Sequence, residues 1–364
     1  MEKQWSKETV LEVYNKPFME LLYEAATTHR ENHNPLEVQI STLLSIKTGG
    51  CPEDCGYCPQ AARYHTDIEA NDLMSVSHVK AQALRAKSNG SSRLCMGAAW
   101  RNIQNNEEFD QVLEMVKTVN GLEMEVCCTL GMMTEEQAKR LADAGLYAYN
   151  HNLDSSEEHY KKVISTRGYD DRIKTIENAS KAGISVCSGG IVGMGESDED
   201  RCSMLVTLAN MNPQPKSIPI NALVPVEGTP LEDQTPVPIW DMVRMVATAR
   251  IVMPEAVIRL SAGRTNMSDE GQTLCFMAGA SSIFAGDKLL TTPNPDINED
   301  MKLFKILGLK GKAPFVDGAK PVSNDNYKNV SVTNGSIKWS RPGHKIESNE
   351  IAKAKAKSIR KDLA

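Results

Sequence analysis

Three cysteines, Cys51, Cys55 and Cys58, fall close together in the segment GGCPEDCGYCPQAARYHT, residues 49–66. Thiols at this density are metal ligands, and a structural zinc site normally closes with four of them. No other cysteine supplies a second Cys-x₂-Cys half, and the doublet Cys127–Cys128 is a poor substitute. A cubane of four irons held by only three thiolates keeps one iron open. An open iron can chelate a small molecule, so the absent fourth ligand would be the working part of the site. Zinc remains the alternative for the same residues.

The elements around this loop must hold it at the edge of something rigid. Strand-like runs alternate with helix-like runs over residues 38–290. The strand candidates are VQISTLLSI, RLCMGAA, MEVCCTLG, YAYNHNLD, ISVCSGGIVGM, SIPINALVP, VIRLSAG and SSIFAGD. Between them lie helical patterns such as SHVKAQALRAKS and TEEQAKRLADAG, the latter ending on the Gly that often closes a helix. Eight such units over roughly 250 residues predict an α/β fold, a parallel (β/α)₈ barrel of TIM type. A doubly wound open sheet is the alternative. Residues 1–36 are predicted to form N-terminal helices and 37–313 the barrel domain. Residues 314–364 read as a C-terminal tail, partly disordered and without chemistry, turn-rich and then basic. No internal repeat recurs at a fixed period.

In a parallel barrel, function gathers at the C-terminal strand ends and the loops after them. The unusual residues fall there: the triple-cysteine loop after the first strand, Cys95 in the second and Cys127 or Cys128 in the third. Asn150, Asn152 and Asp154 follow in the fourth, Cys187 in the fifth, Asn221 in the sixth and Arg259 in the seventh. Side chains alternate faces along a strand. In EVCCTLG, Glu125, Cys127 and Thr129 share one face, and Val126, Cys128 and Leu130 form an apolar one. Regular alternation therefore turns Cys127 inward and Cys128 outward. It also groups Asn150 with Asn152 and Asp154, and sets Arg259 and Ser261 opposite Ile258, Leu260 and Ala262.

Composition bounds the rest. The 364 residues carry a net charge of −6, with no clustered positive excess of the kind a nucleic-acid binder shows. No apolar run approaches the roughly 18 residues of a membrane helix, and the N-terminus lacks a signal or transit pattern. Nine cysteines without a secretory signal suggest reduced thiols and a cytoplasmic protein. Cys202 and Cys275 sit in helical patterns and read as inert core residues.

The Cys-x₃-Cys-x-Tyr-Cys spacing, with Tyr57 before Cys58, resembles the signature of the radical S-adenosylmethionine superfamily. A closer resemblance is to the biotin synthase family. It is carried by YNKPFMELLYEAATTHREN, GGCPEDCGYCPQAARYHT, RLCMGAAWRN, YNHNLDSSEEHY, ISTRGYDDR, VCSGGIVGMGE, INALVPVEGTPL, RLSAGR and CFMAGASSIFAGDKLLTTPNP, and it spans about residues 10–310.

The resemblance implies that Cys51, Cys55 and Cys58 hold a [4Fe–4S] cluster whose open iron takes S-adenosylmethionine. Reductive cleavage of that cofactor would give methionine and a 5′-deoxyadenosyl radical able to abstract hydrogen from dethiobiotin. Such chemistry comes from the cofactors, with the protein orienting the partners. Cys95, Cys127, Cys187 and Arg259 would hold a [2Fe–2S] cluster that donates the sulfur of biotin. Tyr57, Asn152, Asp154 and Arg172 would contact S-adenosylmethionine, and Asn150 and Asn221 dethiobiotin. A flavodoxin-type electron donor and a homodimer are implied in the same way. The doubled cysteine at 127–128 blurs a position where the family needs one. Another radical enzyme without sulfur insertion, or a non-catalytic iron–sulfur carrier, are the competing readings.

Overall fold

The computed structural model describes residues 4–315 apart from residue 287. The tail expected at 314–364 therefore lies outside the described residues except for Pro314 and Phe315.

Every strand expected from sequence is present. They are β1 (Glu37–Lys47), β2 (Arg93–Ala98), β3 (Glu125–Thr129), β4 (Ala148–Asn150), β5 (Ser185–Cys187), β6 (Gly190–Val192), β7 (Ser217–Ala222), β8 (Val257–Leu260) and β9 (Ala280–Phe284). All pair in parallel, in the order β1-β2-β3-β4-β5-β7-β8-β9, and β9 returns to β1 through Gln39↔Ser282, Ile40↔Ile283 and Ser41↔Phe284. The barrel is closed and eight-stranded, because β5 and β6 are two halves of one interrupted strand. A ninth position, β10 (Lys310–Gly311), pairs with the start of β1 outside the ring.

The interruption corrects the continuous fifth strand expected from ISVCSGGIVGM. Ser188 N–H still bonds Ser217 O of β7 at 2.9 Å, and the regular strand breaks at residues 188 and 189, where the backbone crowds β7. A Cβ on Gly189 would lie 2.0 Å from the Pro219 carbonyl oxygen, so only glycine lets the two chains approach this closely.

Helices cover the outside, mostly with side-chain N-caps from Ser, Thr, Asn or Asp. Thr134 and Ser197 make reciprocal capping boxes with Gln137 and Asp200. The two N-terminal helices, Lys7–Tyr14 and Phe18–Asn32, pack on the helices Asp198–Ala209 and Ile239–Val252. Arg201 ties this junction, donating to Tyr14 Oη at 2.9 Å and pairing with Glu196 at 2.8 Å and Asp241 at 3.1 Å. No helix among the described residues is long and apolar enough to cross a membrane.

Apolar burial divides unevenly. The main core lies between barrel and helices, and it contains Val126, Cys128, Leu130, Ile258 and Leu260, together with Cys202 and Cys275. Inside the barrel the buried apolar cluster is small: Cys95, Cys127 and Ala148, flanked by Leu43, Tyr147 and Phe284. A barrel interior is ordinarily filled by layers of branched aliphatic side chains. Here thiols, hydroxyls and a guanidinium take that space.

Candidate iron–sulfur and substrate cavity

The loop after β1 is shaped by backbone contacts on both sides. Gly49 and Gly50 have φ of 74° and 69°, in the left-handed region that favours glycine. Cys51 N–H donates to Gln60 O at 3.0 Å and Ala62 N–H to Cys51 O at 2.8 Å, closing the loop on itself. Gly56 N–H reaches Val163 O at 3.0 Å, and its carbonyl accepts from Leu231 N–H at 3.2 Å. Asp54 works as a clamp. Its Oδ1 accepts from Ser165 and Thr166 N–H at 2.9 and 3.1 Å, and the Ser165 hydroxyl bonds its other oxygen. Burial alone would raise the Asp54 pKa, but these bonds from Ser165 and Thr166 hold it below the ordinary carboxylate value.

Above the loop lies a cavity of about 330 Å³ at the C-terminal mouth of the barrel. Cys51, Cys55 and Cys58 border it from the loop. Cys95, Cys127 and Arg259 border it from the barrel interior. Burial pushes the Cys55 and Cys58 thiols up to about 11 and about 12, so they ionise only beside a strong positive charge such as a metal. Among the described residues no three His, Cys, Asp or Glu side chains close around a single ion. Three thiols around an open space suit a polynuclear centre better than a lone zinc.

The barrel thiols behave differently. A Cys95–Cys127 hydrogen bond lowers Cys95 and raises Cys127, so the two share one ready ionisation. Arg259 and Arg93 favour the anion electrostatically, and Arg259 also hydrogen-bonds Cys95. Arg259 is 1% exposed; its Nε donates to Ser282 Oγ at 2.9 Å and its Nη2 to Gln39 Oε1 at 3.0 Å. Cys187 is buried beside them without reaching the cavity wall. Its Sγ accepts from Asn150 Nδ2 at 3.3 Å. Cys127 faces this interior and Cys128 the outer core.

Between the two thiol groups runs a polar wall. Tyr57 Oη donates to Asp154 Oδ2 at 2.7 Å, and Arg172 Nη2 pairs with the same oxygen at 2.5 Å. Arg172 also donates through Nε to Tyr160 Oη at 3.0 Å. Asn150 and Asn152 are joined at 3.1 Å, and Asn152 Oδ1 accepts from Gly189 N–H at 3.2 Å. Asn221 bridges strands, donating to Gly190 O at 3.0 Å and accepting from Ala262 N–H at 3.2 Å. Each amide retains capacity for a ligand.

All the candidate side chains except Cys187 line one cavity, but strand alternation does not account for every one. β4 ends at Asn150, and Asp154 adopts φ of 69°, so His151 faces the cavity as well. Ala262, assigned to the apolar face, also lines it, because β8 ends at Leu260. His151 Nε2 and Ser261 Oγ are buried in this wall without a hydrogen-bond partner, as expected of groups facing a ligand. Thr291 and Thr292, not among the residues expected from sequence, close the cavity from the loop after β9. Their signal was present in LLTTPNP, but a loop distant in sequence has no periodicity to aim it.

The sequence and fold have known relatives. Residues 45–208 match the radical S-adenosylmethionine superfamily, and 219–310 the Biotin and Thiamin Synthesis associated domain. The chain is 68% identical to the biotin synthase of Christiangramia forsetii, over 98% of this chain and 99% of that one. The chain belongs to the biotin synthase family. Mitochondrial biotin synthase of Arabidopsis thaliana is 57% identical over 85% of this chain and 82% of its own. The barrel is similar to that of methylornithine synthase, at TM-score 0.72, 17% identity and coverage of 85% and 95%. It is also similar to the hydrogenase maturase HydG, at TM-score 0.73, 18% identity and coverage of 85% and 73%. At these identities the two structures speak to the fold alone. Membership of the family brings a [4Fe–4S] cluster, a [2Fe–2S] cluster and S-adenosylmethionine, and the loop thiols and barrel thiols fit them.

Proposed function

We propose that this chain inserts sulfur into dethiobiotin to close the thiophane ring of biotin. The observation that carries the reading is the meeting in one cavity of three loop thiols with the Cys95, Cys127 and Arg259 group. When bound, the cofactors supply the electron that cleaves S-adenosylmethionine and the sulfur that enters the product.

The residues of the chain do the rest. Cys51, Cys55 and Cys58 would hold the four-iron cluster with three thiolates, so that S-adenosylmethionine could bind where the chain supplies no fourth thiol. The Tyr57–Asp154–Arg172 cluster and Asn152 receive its polar groups, and Asn150 and Asn221 orient dethiobiotin against the barrel thiols. Arg259 would serve as the fourth ligand of the second cluster, as the family relationship favours; offsetting thiolate charge as a bound cation is the alternative. A ligand role is unusual for a guanidinium, which normally stays protonated. Burial keeps water from reactive species. A flavodoxin-type electron donor, a homodimeric assembly and a cytoplasmic setting complete the reading, supported by the family relationship. The net charge of −6 supports the absence of a nucleic-acid partner.

The test is anaerobic incubation of iron- and sulfide-reconstituted protein with S-adenosylmethionine, dethiobiotin and a reductant, read by mass spectrometry. Biotin is expected together with methionine and 5′-deoxyadenosine. 5′-Deoxyadenosine without biotin would reject dethiobiotin as substrate. Neither product, from protein holding both clusters, would favour a carrier.

A further inference from the structure

Beneath the barrel thiols, at the opposite end from the cavity mouth, a polar chain crosses the interior. Arg259 Nη2 donates to Gln39 Oε1 at 3.0 Å, and Gln39 Nε2 donates to Glu125 Oε2 at 3.1 Å. The same carboxylate oxygen takes Arg93 Nε at 2.9 Å and Nη2 at 2.8 Å. Glu125 is 1% exposed, so this charge depends wholly on its partners. Its other oxygen, Oε1, accepts from the backbone N–H of Phe315 at 2.7 Å.

Phe315 arrives there on a strap. Lys310 and Gly311 pair with Glu37 and Val38 at the start of β1, and Lys312 N–H bonds Val38 O at 2.9 Å. The chain then turns under the barrel, with Phe315 at φ of 57°, a value few non-glycine residues adopt. Its ring meets Tyr147 edge-on at 5.8 Å, and the Arg93 guanidinium lies 5.0 Å from the Tyr147 ring centre. Tyr147 in turn packs on the Cys95–Cys127 cluster. None of Gln39, Arg93, Glu125, Tyr147 or Phe315 borders the cavity above.

We propose that the strap 310–315 is the floor of the second-cluster chamber, with Phe315, Glu125 and Gln39 as positioning residues for Arg259. The inference rests on the assignment of Cys95, Cys127, Cys187 and Arg259 to that cluster. Phe315 seals the N-terminal opening and satisfies the outer oxygen of Glu125. Glu125 then holds Gln39, and Gln39 holds one edge of the guanidinium, leaving Arg259 aimed at Cys95. Opening the floor admits water to Glu125 and frees Gln39, which loosens Arg259 without touching the loop thiols.

The experiment compares full-length holoprotein with its Phe315→Pro variant, which lacks the N–H and cannot adopt the positive φ. Both are challenged anaerobically with an iron chelator. Loss of the two clusters is followed separately by Mössbauer and visible spectroscopy. The variant is expected to lose the two-iron signal about tenfold faster, the low end of the loss in metal affinity that follows removal of an outer-shell support. Its four-iron signal should decay at the wild-type rate, and Phe315→Tyr should behave as wild type. Equal acceleration of both signals, or no acceleration of the two-iron signal, overturns the proposal.

Should the wild-type chain hold no two-iron cluster, the cluster assignment fails instead. The floor is then judged by iodoacetamide labelling of metal-free full-length protein. Faster labelling of Cys95 and Cys127 in Phe315→Pro, with Cys51, Cys55 and Cys58 unchanged, supports it. Unchanged labelling of Cys95 and Cys127 sinks it.

Discussion

Adjacent cysteines on one strand have opposite fates because the strand period is two. Cys127 shares the barrel interior with Cys95, whereas Cys128 lies in the outer core, where burial raises its thiol well above the ordinary value. Cys128→Ala is therefore expected to keep both clusters, and Cys127→Ala to lose the two-iron absorption alone. A Cys128→Ala protein without that absorption would reverse the assignment. Asp154 is the other decisive residue, since Arg172 and Tyr57 converge on one of its oxygens. Asp154→Asn leaves Arg172 buried without its counter-charge, and removal of a partner from such a pair costs about 3–5 kcal/mol. The urea midpoint should fall, and S-adenosylmethionine affinity measured by calorimetry should drop at least about tenfold. An unchanged affinity would place the cofactor elsewhere.

At the scale of elements, the interrupted strand β5–β6 does the positioning. Its break lets Gly189 N–H reach Asn152 and lets Asp154 N–H bond Gly189 O at 3.1 Å, so the wall of the cavity is tied to the kink. Gly189→Ala would drive a Cβ into the Pro219 carbonyl, and the strands would have to separate. Overpacking of this kind typically costs about 1–3 kcal/mol. The variant is expected to show a lower Tm and weaker S-adenosylmethionine binding together. A wild-type Tm would mean that the barrel absorbs the strain elsewhere.

Over the whole molecule, the helical brace carries a pH dependence. His29 and His33 stack at 5.4 Å where the second helix ends, beside the buried Arg250. Burial, then the charge of Arg250, lowers His29 to about 3 and His33 to about 4. Between those values and the ordinary 6.5 the unfolded chain binds protons that the folded chain does not. Stability therefore rises with pH through this window and is lost as pH falls from about 6.5, by at most about 1.4 kcal/mol per pH unit for each histidine. The urea midpoint should be lower at pH 5 than at pH 7, where carboxylates contribute little. The drop should shrink in His29→Gln/His33→Gln. An equal drop in that double variant would assign it to other groups.

What the sequence determined by itself is local. The cysteine spacing after the first strand, the alternation that separates Cys127 from Cys128, and the sequential order of strands all follow from short-range chemistry and period-two geometry. A parallel barrel then gathers the strand ends, which is why Cys95, Asn150, Asn221 and Arg259 could be grouped before any contact was known. Tertiary structure decided the rest, because register and closure depend on residues far apart in the chain. Glycine is required at 189 because the Pro219 carbonyl oxygen lies 2.0 Å from where a Cβ would sit. His151 joins the cavity because β4 stops at Asn150. Gln39, Glu125 and Arg259 form one hydrogen-bonded chain across 220 positions of sequence, and no pattern within a single strand encodes that contact.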